Sequence, residues 1–255
     1  MAAVVGAMVV PALAFASGGS GSGGAGTGPG SPGSNQNPAV PVTAGNVPVT
    51  ATGDGITITS EASAFIRRVS VTGSVPASDA GDVVEIDQLS SAATATWVPV
   101  ANATAHPGGS FAAAWRARRA GQLTIRAIIK GSQASSAAAA PTVSLTVYRR
   151  SIATLYGPGF WGHRTACGKI LRRNTIGVAN RTLPCGTPVQ LYYKGQVITV
   201  PVIDRGPYAH GANWDLTMAT GRAIGALTTV VIGAAAVPAA TTSSPAAPTA
   251  VPSAQ

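Results

Sequence analysis

Acidic residues are scarce: eight Asp and Glu stand against seventeen Lys and Arg in 255 residues, a formal net charge of +9. A surface with that imbalance attracts polyanions. Cysteine is scarcer still, with only Cys167 and Cys185, and neither a CxxC pair nor paired histidines accompany them, which argues against a Cys/His metal site. Aromatics are few (four Trp, five Tyr, four Phe), whereas Gly (31) and Pro (19) are abundant, so two compact β-rich units are expected in place of one large core. A convincing membrane span is missing too. The apolar run at residues 1–17 is shorter than the ~20 residues a spanning helix needs. The uncharged stretch 223–240 is interrupted by Gly225, Gly233 and Pro238 and reads as a helix end followed by a strand over 228–232.

What is present begins with an export signature. Residues 1–17, MAAVVGAMVVPALAFAS, end in the small-x-small pattern Ala14-Phe15-Ala16 that suits signal peptidase, although no Lys or Arg precedes the apolar run. A signal peptide over 1–16 and a secreted, cell-wall location are therefore expected. In an exported chain two nearby cysteines read as one disulfide, against the alternatives of two buried thiols or half of a metal site. Closing such a loop is worth roughly 3 kcal/mol in the chain-entropy model. Residues 17–46 have the Gly/Ser/Pro composition of a flexible tether, and 238–255 that of a disordered Pro/Ala/Thr/Ser tail. The outward location turns the basic charge away from nucleic acid and towards wall peptides and anionic wall polymers.

Between tether and tail the pattern changes once. Residues 47–150 show short alternating segments at 56–60, 68–72, 83–86, 96–100, 110–115, 123–129 and 143–148, separated by Gly, Pro, Asp and Ser turns. Seven strands at that spacing predict an immunoglobulin-like β-sandwich with Trp97 and Trp115 as core anchors. Residues 111–129, FAAAWRARRAGQLTIRAII, are similar to the last hairpin of bacterial immunoglobulin-like wall modules. No nucleophile, metal cluster or phosphate loop is legible there, so a spacer or adhesion role is expected.

From residue 151 to 237 a second unit is read. Segments 189–193 and 197–203 form a hairpin about the turn Lys194-Gly195, and Asp215 is placed as the N-cap of a helix over 216–224. Four segments occur in order: YGPGFWGHRTACG, ANRTLPCGT, VPVIDRGPY and WDLTMATGRAIG. They resemble the double-psi β-barrel of the rare lipoprotein A (RlpA) family, whose barrel is related to that of expansins. The resemblance covers about 85 residues and implies an all-β chain in which a six-stranded double-psi barrel with one or two short helices follows the sandwich. It also implies lytic cleavage of peptidoglycan glycan strands. Where relatives often read NGE and AAHRTLP, this chain has Lys169 and Asn180, and no cysteine near residue 17 could carry the family's lipid.

The acids that remain are Asp204 and Asp215. Breaking a glycosidic bond needs a proton for the leaving oxygen and stabilisation of an oxocarbenium-like carbon. Asp204, which ends a strand before a glycine turn, is the favoured proton donor, alone or with Asp215; the competing reading makes it a turn-stabilising carboxylate bonded to backbone amides. Tyr156, Phe160, Trp161, Tyr208 and Trp214 offer aromatic faces to a sugar ring, Trp161 and Tyr208 being the favoured platforms; Arg181 and Arg205 offer guanidinium groups, and His163 and His210 lie in nearby loops. No metal and no cofactor is expected. The expected partner is peptidoglycan, with anionic wall polymers as a second, and a monomer is expected. Two functions compete: a lytic transglycosylase, and an expansin-like wall-binding or wall-loosening module that grips glycan without cutting it. A protease-inhibitor-like or matrix barrel is a weaker third.

Overall fold

β-Branched residues alternating with small polar ones set most of the chain into strands. A computed structural model describes residues 40–66, 68–90, 95–130, 139–208 and 211–239. Strands β1 (Val42–Ala44), β2 (Pro48–Gly53), β3 (Ile56–Glu61), β4 (Ser63–Phe65) and β5 (Val69–Ser74) come first. They are followed by β6 (Val83–Leu89), β7 (Trp97–Thr104), β8 (Ser110–Trp115), β9 (Gly121–Ile129) and the long β10 (Thr142–Tyr156). The last third holds β11 (Val178–Ala179), β12 (Pro188–Tyr193), β13 (Gln196–Asp204), β14 (Trp214–Thr217), helix α1 (Met218–Ile224) and β15 (Val230–Ala236). The expected signal peptide, all of the tether before residue 40 and the tail from 240 lie outside the described residues.

The first half is two sheets on one core. One sheet runs β2-β3-β5-β8 and the other β10-β9-β6-β7, with β4 beside β10. Ile56, Val69, Val71 and Phe111 from the first meet Val84, Ile86, Ile125 and Leu145 from the second in a single buried cluster. The seven expected strands are all found, displaced by a few residues at their ends. The immunoglobulin-like type rests on the sequence pattern alone. The tryptophan anchors are corrected: neither is fully buried. Trp97 lies partly exposed beneath the Arg126 guanidinium, 4.5 Å from its centroid, and Trp115 packs against the core's edge. Aliphatic residues at alternate positions fill the space that the tryptophans were expected to fill.

The second half closes on itself in the order β10-β14-β11-β13-β12-β15 and back to β10, a six-stranded barrel with one helix. Val178, Leu191, Val200, Val202, Trp214 and Leu216 are among the residues that fill it. The hairpin turn is as expected, with Lys194 at φ 47° and Gly195 at φ 82°, the left-handed pair that matches the twist of two-residue hairpins. The helix is shorter than expected and its cap is different. Thr217, not Asp215, is the N-cap, its Oγ1 accepting from the Thr220 amide, and Asp215 belongs to β14.

One strand serves both halves. Residues 142–147 of β10 pair with β9, residues 149–153 pair antiparallel with β15, and 153–156 pair parallel with β14. The boundary expected at residues 150/151 therefore falls inside a continuous strand. At the seam Tyr148 is buried against Phe65 and Tyr192, with ring centroids 5.5 to 5.9 Å apart, and its hydroxyl donates to Gln190 Oε1 at 2.6 Å. Gly233 makes this fit possible, since a Cβ there would lie 2.9 Å from Tyr148 Cβ. Residues 42–44, expected within the tether, instead pair with β13, and the Tyr192 hydroxyl bonds Asn46.

Candidate functional site

Strand register assembles the candidate site. On β14, Trp214 and Leu216 point into the barrel, so the intervening Asp215 points out of it. Opposite Asp215 stands Thr154 on one side and Ala179 on the other, and Ala179 also faces Asp204 on β13. The register of β11 and β13 slips between Val178 and Ala179, so that Asp204 takes the place opposite Ala179 that Ile203 would otherwise hold. A bulge that re-aims a side chain is a recurrent feature beside active sites. The result is a row, Thr154–Asp215–Ala179–Asp204, across four adjacent strands. With neighbouring strands about 4.8 Å apart, the two Asp Cα atoms are roughly 10 Å apart, with the buried Ala179 on the strand between them.

The two carboxylates are held differently. Asp204 Oδ1 accepts the amide N–H groups of Ala166 and Arg205, each at 2.8 Å. Asp215 is half-buried, and its Oδ1 accepts one hydrogen bond from Thr154 Oγ1 at 2.9 Å. Desolvation raises the Asp215 pKa, the Thr154 bond offsets part of that rise, and the negative charge of Asp204 adds to it. Tyr156, two residues beyond Thr154 on β10, is the third member. Its pKa is driven up by burial and then by the fields of Asp204 and Asp215, and its buried hydroxyl has no hydrogen-bond partner.

The loop over 157–175 is fixed next to this row. The Cys167–Cys185 disulfide is formed, tying that loop to the segment before β12. It sits beside Ala166, whose amide holds Asp204, and Arg205 Nη2 reaches Cys185 Sγ at 3.4 Å. Arg205 Nη1 donates to the carbonyls of Asn180 and Leu183. The guanidinium expected to hold substrate is thus engaged in holding the segment 180–185. Arg181 Nη2 donates to the Ala212 carbonyl.

The aromatic residues divide. Tyr208 is 79% exposed and Phe160 59% exposed, and Phe160 stands edge-on to Tyr156. Trp161 is covered on one face by the Arg173 guanidinium, 4.2 Å from its centroid. Trp214, expected as a sugar platform, is corrected to a core residue, 8% exposed, because its strand position faces inward. Phe160, one of the ring-bearing candidates but not the favoured one, is more exposed than Trp161, as the Pro158-Gly159 turn before it allows. Lys169 is exposed, and the Asn180 side chain accepts from the Thr182 and Leu183 amides, so it secures a turn. His163 is exposed in the loop, and His210 lies outside the described residues. No cluster of metal-ligating side chains occurs among the described residues.

Comparison with known proteins agrees with the barrel reading of the second half. Residues 149–238 match the family described as lytic transglycolase, the double-psi barrel model. Residues 149–238 are an RlpA-like double-psi barrel. A Synechocystis protein named "Probable endolytic peptidoglycan transglycosylase RlpA" is 46% identical over 76 residues, 29% of this chain and 24% of that protein. The Aquifex aeolicus protein of the same name is 36% identical over 87 residues (33% and 38%). The Campylobacter jejuni "Endolytic peptidoglycan transglycosylase RlpA" is 37% identical over 68 residues (26% and 25%). The chain thus spans about a quarter to two fifths of the length of these relatives. A solved structure, the Streptomyces papain inhibitor, is similar at 24% identity over 34% of this chain and 93% of that one, with a TM-score of 0.28. A likeness that slight adds nothing to the assignment.

Proposed function

We propose that the protein cleaves the glycan strands of peptidoglycan as a lytic transglycosylase, acting outside the cytoplasm. The observation that carries this reading is the outward row of Asp215, Ala179 and Asp204 on a barrel whose relatives bear that activity in their names. Asp215 is the donor, because burial keeps its carboxyl protonated to higher pH than an exposed one. As the C1–O bond breaks, the Asp215 proton passes to the leaving oxygen. The carboxylate of Asp204 stabilises the positive charge that develops at C1. The sugar's own 6-hydroxyl then bonds to C1, and its proton returns to Asp215. The ring closes to an anhydro sugar, no water is consumed, and the acid is regenerated.

This assignment moves the donor role from Asp204, the first choice from sequence, to Asp215. The Asp204 oxygen that accepts two amides acts as an acceptor there, which is the alternative the sequence left open for it. Tyr208 and Phe160 supply exposed rings for the apolar faces of flanking sugars. Residues 40–150 are read as a wall-binding or spacing module. A non-catalytic, wall-gripping role has one observation in its favour, the absence of an acid at Lys169 and of an imidazole at Asn180. Neither position belongs to the row, however, so the acid chemistry does not depend on them. Digestion of purified peptidoglycan with mass spectrometry of the soluble products tests the reading. Anhydromuramoyl fragments are expected; reducing-end products, or none, would overturn it.

A further inference from the structure

Ser151 and Arg149, four and six residues back along β10 from Leu155, open onto a cavity that the glycan chemistry does not use. It holds about 390 Å³ and lies where the sandwich turn at Ala120 meets the barrel. Arg149 and Arg181 line it, with Ser151, Asn180, Thr182 and Asn213 as neutral polar neighbours. Every polar side chain lining it is neutral or cationic, and none is a carboxylate. Ion pairing does not neutralise the arginines either: among the described residues the salt bridges found are Arg126–Asp87 and Lys130–Glu85, both in the sandwich. Arg181 spends one nitrogen on the Ala212 carbonyl, which fixes its guanidinium and leaves its other donors free for a ligand.

The cavity is built on the chain next to the acid row. Asn180 follows Ala179 and Trp214 precedes Asp215, so the same strands carry both places. Along β10, Arg149 is five residues from Thr154, a span of roughly 16 Å. Arg181 and Asn213 are two residues from Ala179 and Asp215, or about 7 Å. That is the spacing of one to three sugar units along an extended glycan.

We infer that this seam cavity is a binding site for an anionic oxygen group, carboxylate or phosphate, carried by the wall polymer while its glycan lies over the acid row. Two guanidinium groups can take such a group through charge-assisted, fork-shaped hydrogen bonds. The amides of Asn180 and Asn213 and the Ser151 and Thr182 hydroxyls can satisfy its remaining lone pairs. The site exists only because β10 fixes the sandwich turn against the barrel, so it would be absent from an isolated barrel of this type. The inference takes the class of polymer from the proposed function, but its test stands apart from it.

Arg149→Glu reverses the charge at an exposed residue whose side chain makes no hydrogen bond among the described residues, and Lys194→Glu makes the same change at the β12–β13 turn as a control. Binding of the full chain is measured on three sacculus preparations: intact, stripped of phosphate polymers, and stripped of stem peptides. At low salt Arg149→Glu is expected to weaken binding to intact sacculi at least tenfold, and Lys194→Glu less than threefold. Loss of that difference on phosphate-stripped sacculi names phosphate as the ligand, and its loss on peptide-stripped sacculi names the stem carboxylates. Equal effects of the two reversals, or no effect of Arg149→Glu, would overturn the site. Release of anhydro fragments from glycan stripped of both groups reports on the proposed activity alone. Its absence beside an intact Arg149 effect would sink the enzyme and leave the site standing.

Discussion

A carboxyl that titrates late leaves a signature in stability as well as in rate. The Asp215 pKa is higher in the folded chain than in the unfolded one, so between those two values the native state holds the extra proton. Stability therefore falls as pH rises through that window, and below the unfolded value the effect is absent. Asp215→Asn is accordingly expected to match or exceed the wild-type Tm at neutral pH. The difference should close as pH falls below about 4, which thermal melts across pH would show. The same variant should lose turnover by roughly a hundredfold or more. Retained turnover would return the donor role to Asp204. Tyr156 permits a similar separation, because its buried hydroxyl has no partner to lose. Tyr156→Phe should leave Tm unchanged or raised and lower the rate of anhydro-fragment release, since the hydroxyl lies in the field of both carboxylates.

Elements are where the sequence was read best and where it first fell short. Alternation located seven of the sandwich strands and the β12–β13 hairpin, because a half-buried strand cannot hide its period, but β2 and the three-residue β4 were missed. The two acids and the disulfide were legible as well. Register was not. Nothing in VPVIDRGPY announces that a slip opposite β11 puts Asp204, and not Ile203, in line with Asp215, because the slip is decided by a partner strand twenty-five residues away. The capping error has a related cause. Asp is a good N-cap, but residue 215 is already committed to pairing with β10 and β11, and the helix starts at the next free hydroxyl, Thr217. Trp214 looked like a platform beside an acid, yet adjacent strand residues face opposite ways. The loop tie belongs to this scale too. A Cys167→Ser, Cys185→Ser double variant should lose about 3 kcal/mol of stability in denaturant titration. Its turnover at temperatures where it is fully folded should also fall, because the Ala166 amide on Asp204 is released.

The whole described molecule is joined by β10 and by the ring cluster at its midpoint. Tyr148→Ala removes a buried ring and the hydroxyl that bonds Gln190, at a cost of about 3 to 5 kcal/mol. Calorimetry is expected to show one unfolding transition for the wild type and two for this variant, the sandwich and the barrel separating. A single transition in both would mean that the shared strand alone suffices to couple them.

That shared strand also has a mechanical meaning. A pull on the sandwich passes along β10 and meets the barrel as shear, because the β15 and β14 pairings lie parallel to the line of force and must fail together, not one after another. Thr154 and Tyr156 are at the far end of that line. Load applied to the first half would therefore be delivered to the strand that carries Thr154 and its hydrogen bond to Asp215.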